Sequence, residues 1–286
     1  MPPSAEKYIL RQANSQDISA ITEFIDQASL VHRNLDWRPL SDWMLLEPFL
    51  LWEEGRKIMA LLSCAPDPEG IAWIHAFASD SWFSDLYKFW DGLLDRSLFI
   101  LQSTHSDLYT ISMFQWFTNL ILRAGFSLVQ NVIVLNRLAD PPPTLAFPPE
   151  VLIRPMQESD LDAVAALDRE AFEPAWVISL PSLKYTFLNV QHAIVAEIDD
   201  RIIGYELSTA NGMSAHLTRL AVSPHFRKAH IGYNLTREMI RDFAAQGIRN
   251  ITVNTQENNF ASISLYRKLG FQLTAQSFPI YSLNPK

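Results

Sequence analysis

Five stretches of this chain recur in the same order about 144 residues apart, and this repeat limits the fold more than any other feature. Tyr8-Ile9-Leu10-Arg11 returns as Val151-Leu152-Ile153-Arg154, and the amphipathic run opening at Asp17 returns at Asp160. Lys57-Ile58-Met59-Ala60-Leu61 matches Arg201-Ile202-Ile203-Gly204-Tyr205, and Ala76-Phe77-Ala78-Ser79 matches Leu220-Ala221-Val222-Ser223. Leu122-Arg123-Ala124-Gly125-Phe126 matches Arg267-Lys268-Leu269-Gly270-Phe271. Scattered coincidence does not hold one spacing along a whole chain, so the sequence reads as two copies of one unit in tandem. With 286 residues, each copy is long enough to bury its own core. Between them Ala139 to Glu150, ADPPPTLAFPPE, carries five prolines and cannot continue a helix or a central strand, so it is read as a stiff linker. The expected domains are 1–138 and 151–286, with 139–150 between them.

The chemistry concentrates in His216 to Phe271. His216 to Val222 alternates and then turns apolar, which predicts a strand ended by Ser223-Pro224. A basic turn follows, Arg227-Lys228-Ala229-His230-Ile231-Gly232. Ile231, Leu235, Met239 and Phe243 then recur at helical spacing until Gly247, a C′ glycine. Strand, basic turn and helix together suit an anion. The first N–H groups of a helix carry partial positive charge, and a glycine lets a phosphate approach the main chain. Ile251 to Thr255 predicts the next strand, and Asn259 opens a short helix that carries Leu265-Tyr266.

These residues resemble the GNAT acyl-CoA N-acyltransferases. The family's pyrophosphate loop, Arg/Gln-x-x-Gly-x-Gly/Ala, is matched by Arg227-x-x-His230-x-Gly232, with histidine at the first glycine. Its Asn-x-x-Ala…Leu-Tyr…Gly-Phe segment is matched by Asn259, Leu265-Tyr266 and Gly270-Phe271, with Ser262 in the place of alanine. The resemblance implies an α/β (α+β) fold of two tandem domains, each a mixed, mainly antiparallel sheet flanked by helices. It implies acetyl-CoA as cosubstrate, with Arg227, Lys228, Ala229, His230, Ile231, Gly232, Tyr233 and Asn259 around it. Leu220, Ala221 and Val222 would offer main-chain donors to the acyl carbonyl. Tyr266 would be the general acid for the departing thiolate, against a plain reading as a core tyrosine. His216 would be the base for the amine, against a plain reading as a histidine at a strand end. Where relatives that acetylate ribosomal-protein N-termini carry a glutamate, this chain has Asn254, and Glu206 and Glu257 are reserve bases.

The first half lacks this equipment. After Ser79 it has no phosphate loop, it places Asp80 and Asp85 where donors are needed, and Ile121 stands opposite Tyr266. Two carboxylates repel a pyrophosphate. This half is read as a fold that lost its ligand. It holds Trp37, Trp43, Trp52, Trp73, Trp82, Trp90 and Trp116, which predict core packing, with an aromatic acceptor pocket or the domain interface as the alternatives. In the second half Phe172, Trp176 and Tyr185 lie where the family shapes its acceptor site.

Composition removes other classes. Cys64 is the single cysteine, so neither a disulfide framework nor a multi-cysteine zinc site is possible within the chain, and His225 and His230 lack partners at metal spacing. No metal is expected. Net charge is −8, and residues 1–140 carry −7 of it, so nothing recommends nucleic acid as a partner. No apolar run reaches the roughly 18 residues of a membrane span, and the opening MPPSAEKYIL lacks a signal core, so a cytoplasmic protein, monomer or homodimer, is expected. The predicted activity is acetyl transfer to a primary amine, small molecule or protein N-terminus. A non-catalytic acyl-CoA sensor or interaction module is the alternative.

Overall fold

The computed structural model describes residues 8–34, 38–55, 57–81, 84–138 and 141–283, and the chain falls into two compact units. The first holds residues 1–129 and 279–286, the second residues 130–278. In the first the chain runs through β1 (Tyr8–Gln12), α1 (Ile18–Gln27), β2 (Leu30–Arg33), α2 (Leu40–Trp43), β3 (Phe49–Glu54), β4 (Lys57–Ser63), β5 (Ile71–Trp73) and β6 (Ala76–Ser79). It continues through α3 (Ser84–Ser103), β7 (Asp107–Ile111), α4 (Gln115–Arg123) and the start of β8 (Ser127–Arg137). Strands β1-β3-β4-β6-β2 form an antiparallel sheet in that order, and β5 pairs in parallel with β7.

The second unit contains β9 (Leu152–Pro155), α5 (Leu161–Ala171), α6 (Leu180–Asn189), β10 (His192–Ile198), β11 (Arg201–Asn211) and β12 (Ser214–Val222). It ends with α7 (Ile231–Ala245), β13 (Asn250–Gln256), α8 (Phe260–Lys268) and the first part of β14 (Gln272–Leu283), up to residue 278. Its sheet runs β8-β13-β12-β11-β10-β9, with β12 and β13 parallel and the other pairs antiparallel. Helix α7 turns Ile231, Leu235, Met239 and Phe243 inward, all essentially buried. Each such side chain contributes roughly 2 kcal/mol by leaving water.

The domain limits expected at 138 and 151 need correction. Residues 130–137 of β8 complete the second unit by pairing with β13, and Thr274 of β14 donates its hydroxyl to the Val134 carbonyl beside it. Ile280 to Leu283 return to the first unit and pair with β7. Each half therefore finishes the other's unit with its own last strand. Alternation places a strand's faces but does not say which sheet it joins. Residues 139 and 140 lie outside the described set, and 141–150 belong to the second unit, where they run against α7.

The repeat is exact down to an ion-pair triad. Arg11 binds Asp17 at 2.7 Å and Glu53 at 2.6 Å, and Arg154 binds Asp160 and Glu197 at 2.7 Å each. Asp17 also accepts the Asn14 N–H, and Asp160 the Gln157 N–H, closing the same capping box ahead of α1 and α5.

The units differ at one opening. In the second, β12 and β13 pair only from Ser214/Asn250 to Leu217/Val253, and the register of β12 on β11 shifts across Thr218, a bulge beyond which the parallel strands part. In the first, β5 pairs with β7 as 214–217 pair with β13, and the chain then breaks at Ile74-His75 before β6. Here the free edge of β6 is taken by β2, Leu30 to Arg33 lying opposite Ser79 to Ala76. His32 of β2 stacks on Phe117 of α4 at 3.8 Å and reaches Thr110 of β7 at 3.4 Å. The first unit has filled this opening with its own strand. Around it Phe77, Trp90 and Phe117 close the core, and Ile121 is fully buried among them. Trp43 and Trp90 are core residues, whereas Trp37 and Trp82 lie outside the described residues.

Candidate active site

The site is built from the turn between β12 and α7. Lys228 (φ 66°) and His230 (φ 59°) both take the left-handed conformation that glycine adopts without strain. Histidine tolerates it better than branched residues do. The first main-chain bond inside α7 is Asn234 N–H to the His230 carbonyl, at 3.0 Å, so helix geometry leaves the N–H groups of Ile231, Gly232 and Tyr233 pointing out of the helix start. Arg227 and Lys228 are exposed beside them. A Cβ on Gly232 would meet Val222 at 3.4 Å, Leu265 at 3.5 Å and Leu220 at 3.9 Å. Gly232 thus faces both β12 beyond its parting from β13 and α8.

Leu220, Ala221 and Val222 lie on the stretch of β12 past the bulge, paired with Glu206, Tyr205 and Gly204 of β11. Ala229 packs with Ile231 and Val222. Tyr233 is buried, and its hydroxyl donates to the Pro143 carbonyl at 3.0 Å, so only its main chain faces the helix start. Asn259 caps α8 by accepting the Ser262 N–H at 3.2 Å, which commits its side-chain oxygen to the helix.

Tyr266 of α8 is 5% exposed, 5.7 Å from the Phe271 ring. Burial, and then the charge of Glu206, push its hydroxyl above the ordinary phenol range, so it holds its proton at neutral pH. His216 lies half-buried opposite Thr252, with Nδ1 2.8 Å from the Thr252 hydroxyl. That hydroxyl also lies 3.4 Å from the Ala215 carbonyl; when it donates there, Nδ1 is the donor to it and the lone pair sits on Nε2. Burial lowers the His216 pKa, so the imidazole is neutral at pH 7.

Two buried clusters were not anticipated from the sequence. Asp168 of α5, fully buried, accepts Nε and Nη2 of Arg219 and the Tyr205 hydroxyl, and also the Ile178 N–H at 2.9 Å. Arg219 in turn lies over the Phe172 ring at 3.9 Å and donates to the Trp176 carbonyl. Phe172 and Trp176 are thus fixed through the cation. Glu206, fully buried, accepts the Ser208 hydroxyl and His192 Nδ1, the latter at 2.6 Å. Burial alone would lower the His192 pKa, but Glu206 and then Asp242, 3.2 Å from Nε2, raise it. Glu257 is engaged by the Asn131 amide at 3.0 Å. Neither reserve base is free. Polar letters at inward strand positions of β11, Glu206 and Ser208, were the one available signal for the second cluster. Among the described residues no group of three or more metal-ligating side chains occurs, and no helix is long and apolar enough to cross a membrane.

Comparison with known proteins agrees with this arrangement. Residues 161–271 match the model of the acetyltransferase (GNAT) family. An uncharacterized N-acetyltransferase of Methanocaldococcus jannaschii is 29% identical over 123 residues, 43% of this chain and 78% of that protein. The spore coat polysaccharide biosynthesis protein SpsD of Bacillus subtilis is 28% identical over 166 residues, 53% of this chain, and the match spans 57% of its length. The fold as a whole is similar to that of a tandem GNAT protein from the clavulanic acid biosynthesis pathway, with a TM-score of 0.66 and 11% identity over 98% of this chain and 99% of that one. The match to the acetyltransferase (GNAT) family thus lies in the second half, over residues 161–271, and the fold over nearly the whole chain is similar to that of a tandem GNAT protein.

Proposed function

We propose that the second unit transfers an acetyl group from acetyl-CoA to a primary amine, and that the first unit binds no acyl-CoA. The observation that carries this reading is the contrast at one opening. Beyond Leu217 and Val253 the second unit's strands part in front of the α7 N-terminus, whereas β2 fills the corresponding place in the first unit. In the second, the N–H groups of 231–233 with Arg227 and Lys228 would hold the pyrophosphate. The main chain of Leu220 to Val222 would receive the pantetheine and the acyl carbonyl.

The acetyl-CoA thioester supplies an activated acyl group. The amine nitrogen attacks its carbonyl carbon directly, forming the C–N bond and then breaking C–S. His216 Nε2 accepts the proton the amine must lose, and Tyr266 gives its hydroxyl proton to the sulfur. Main-chain donors on β12 stabilise the oxygen as charge develops. A binding-only role is favoured by a single fact: with Asn254 an amide and Glu206 and Glu257 engaged, His216 has no carboxylate to replace it.

Titration calorimetry with acetyl-CoA tests the proposal. One site per chain, abolished by Arg227→Glu, together with turnover on at least one primary amine, is the expected result. Two sites would refute the reading of the first unit. Binding without turnover across a broad amine panel would favour the sensor.

A further inference from the structure

The proline-rich segment lies along one side of α7 and is tied to it at successive carbonyls. Arg237 Nε donates to Pro142 at 2.9 Å, the Tyr233 hydroxyl to Pro143 at 3.0 Å, and Asn234 Nδ2 to Leu145 at 2.9 Å. Asn234 Oδ1 also accepts the Leu145 N–H at 3.4 Å, so one side-chain amide takes both main-chain groups of that residue. Prolines bring carbonyls but no N–H, and the donors on this face of α7 match that one-sided need. Leu145 and Phe147 pack into the apolar clusters on either side. The last tie reaches the phosphate loop, where His230 Nδ1 donates to the Ala146 carbonyl at 2.9 Å.

We propose that His230 is a positioning residue for acyl-CoA, using the segment 142–147 as a strap that holds the loop in its binding shape. The inference rests on the reading of the site given above. A glycine at this position would take φ 59° without strain but would leave the loop's last residue free to leave it. Histidine accepts the strain and anchors the turn through its side chain. The N–H groups of 231–233 are then presented in one arrangement before any ligand arrives, which lowers the ordering cost of binding.

The test compares wild type with His230→Gly by two readouts. Hydrogen exchange of amides 230–234 in the ligand-free protein reports the tie directly, and His230→Gly is expected to speed it. Titration with coenzyme A reports its use: Kd should rise about fivefold, the worth of one hydrogen bond. The double variant Tyr233→Phe/Arg237→Ala, which leaves the loop residues in place, should loosen 142–146 and weaken coenzyme A in the same direction. If position 230 needs only a positive φ, His230→Gly binds as well or better and exchanges no faster, and the proposal fails. If exchange quickens while wild type takes up no coenzyme A, the strap stands as a structural tie, but its positioning role is overturned together with the reading of the site.

Discussion

Arg219 holds the carboxylate of Asp168 through two nitrogens, Nε and Nη2, each 2.8 Å from an oxygen, in a place where Asp168 is fully buried. The fork of a guanidinium fits such a pair, and the Tyr205 hydroxyl and Ile178 N–H complete the carboxylate's partners. Removing one partner of a buried pair strands the other charge. Asp168→Asn should therefore destabilise the second unit by about 3 kcal/mol, read as a shift of the urea midpoint. Because Arg219 also fixes Phe172 and Trp176, the variant should raise KM for the amine more than KM for acetyl-CoA. An unchanged midpoint would show that the pair contributes nothing net.

Tyr266→Phe keeps the ring against Phe271 and removes the hydroxyl alone. Turnover should fall on the order of 100-fold, the usual worth of a positioned general acid, with acetyl-CoA affinity nearly unchanged. Full turnover would remove Tyr266 from the mechanism.

Burial lowers the His216 pKa, so its neutral, base-competent form persists below the ordinary imidazole range. The acidic limb of kcat/KM should accordingly lie below pH 6.5, about the ordinary histidine value. His216→Gln should lower the rate and abolish that limb. A mutant profile identical to wild type would sink the assignment.

His32 makes a separate prediction about stability. Burial pushes its pKa down to about 3 from an ordinary 6.5, so the folded chain holds it neutral while the unfolded chain protonates it. Its contribution is complete above pH 6.5 and is lost as pH falls toward 3, at roughly 1.4 kcal/mol per pH unit. His32→Phe retains an aromatic ring on Phe117 and should flatten the stability curve of the first unit between pH 6 and pH 4. Equal slopes in both proteins would contradict a neutral, buried His32.

The elements of the second unit were legible because each carried a local signal. The helical spacing of Ile231, Leu235, Met239 and Phe243 sets the inward face of α7, and Gly247, at φ 83°, follows its end. The strain at His230 was legible too, since a known loop pattern asks for glycine there. Partners distant in sequence were not. Nothing in Ser127 to Arg137 says that β13 is its neighbour, and nothing in Leu30 to Arg33 says that these four residues take the edge of β6. The prolines announced stiffness but not where the stiff segment lies. Nothing in the sequence pairs Asp168 with Arg219, and Glu206, read as a reserve base, is engaged by His192.

The exchange of last strands also sets an order of events during synthesis. A chain leaves the ribosome from its N-terminus, and domains generally close as they emerge. Here the unit begun first includes Ile280 to Leu283, which are made after every residue of the second unit, while the second draws residues 130–137 from the far side of the proline-rich stretch. The older unit must wait, with the β7 edge that receives Ile280 to Leu283 unpaired, until the whole second unit has been made. A nascent chain stalled anywhere before Pro279 would carry that open edge, and chaperones that bind unpaired strands would meet this protein there.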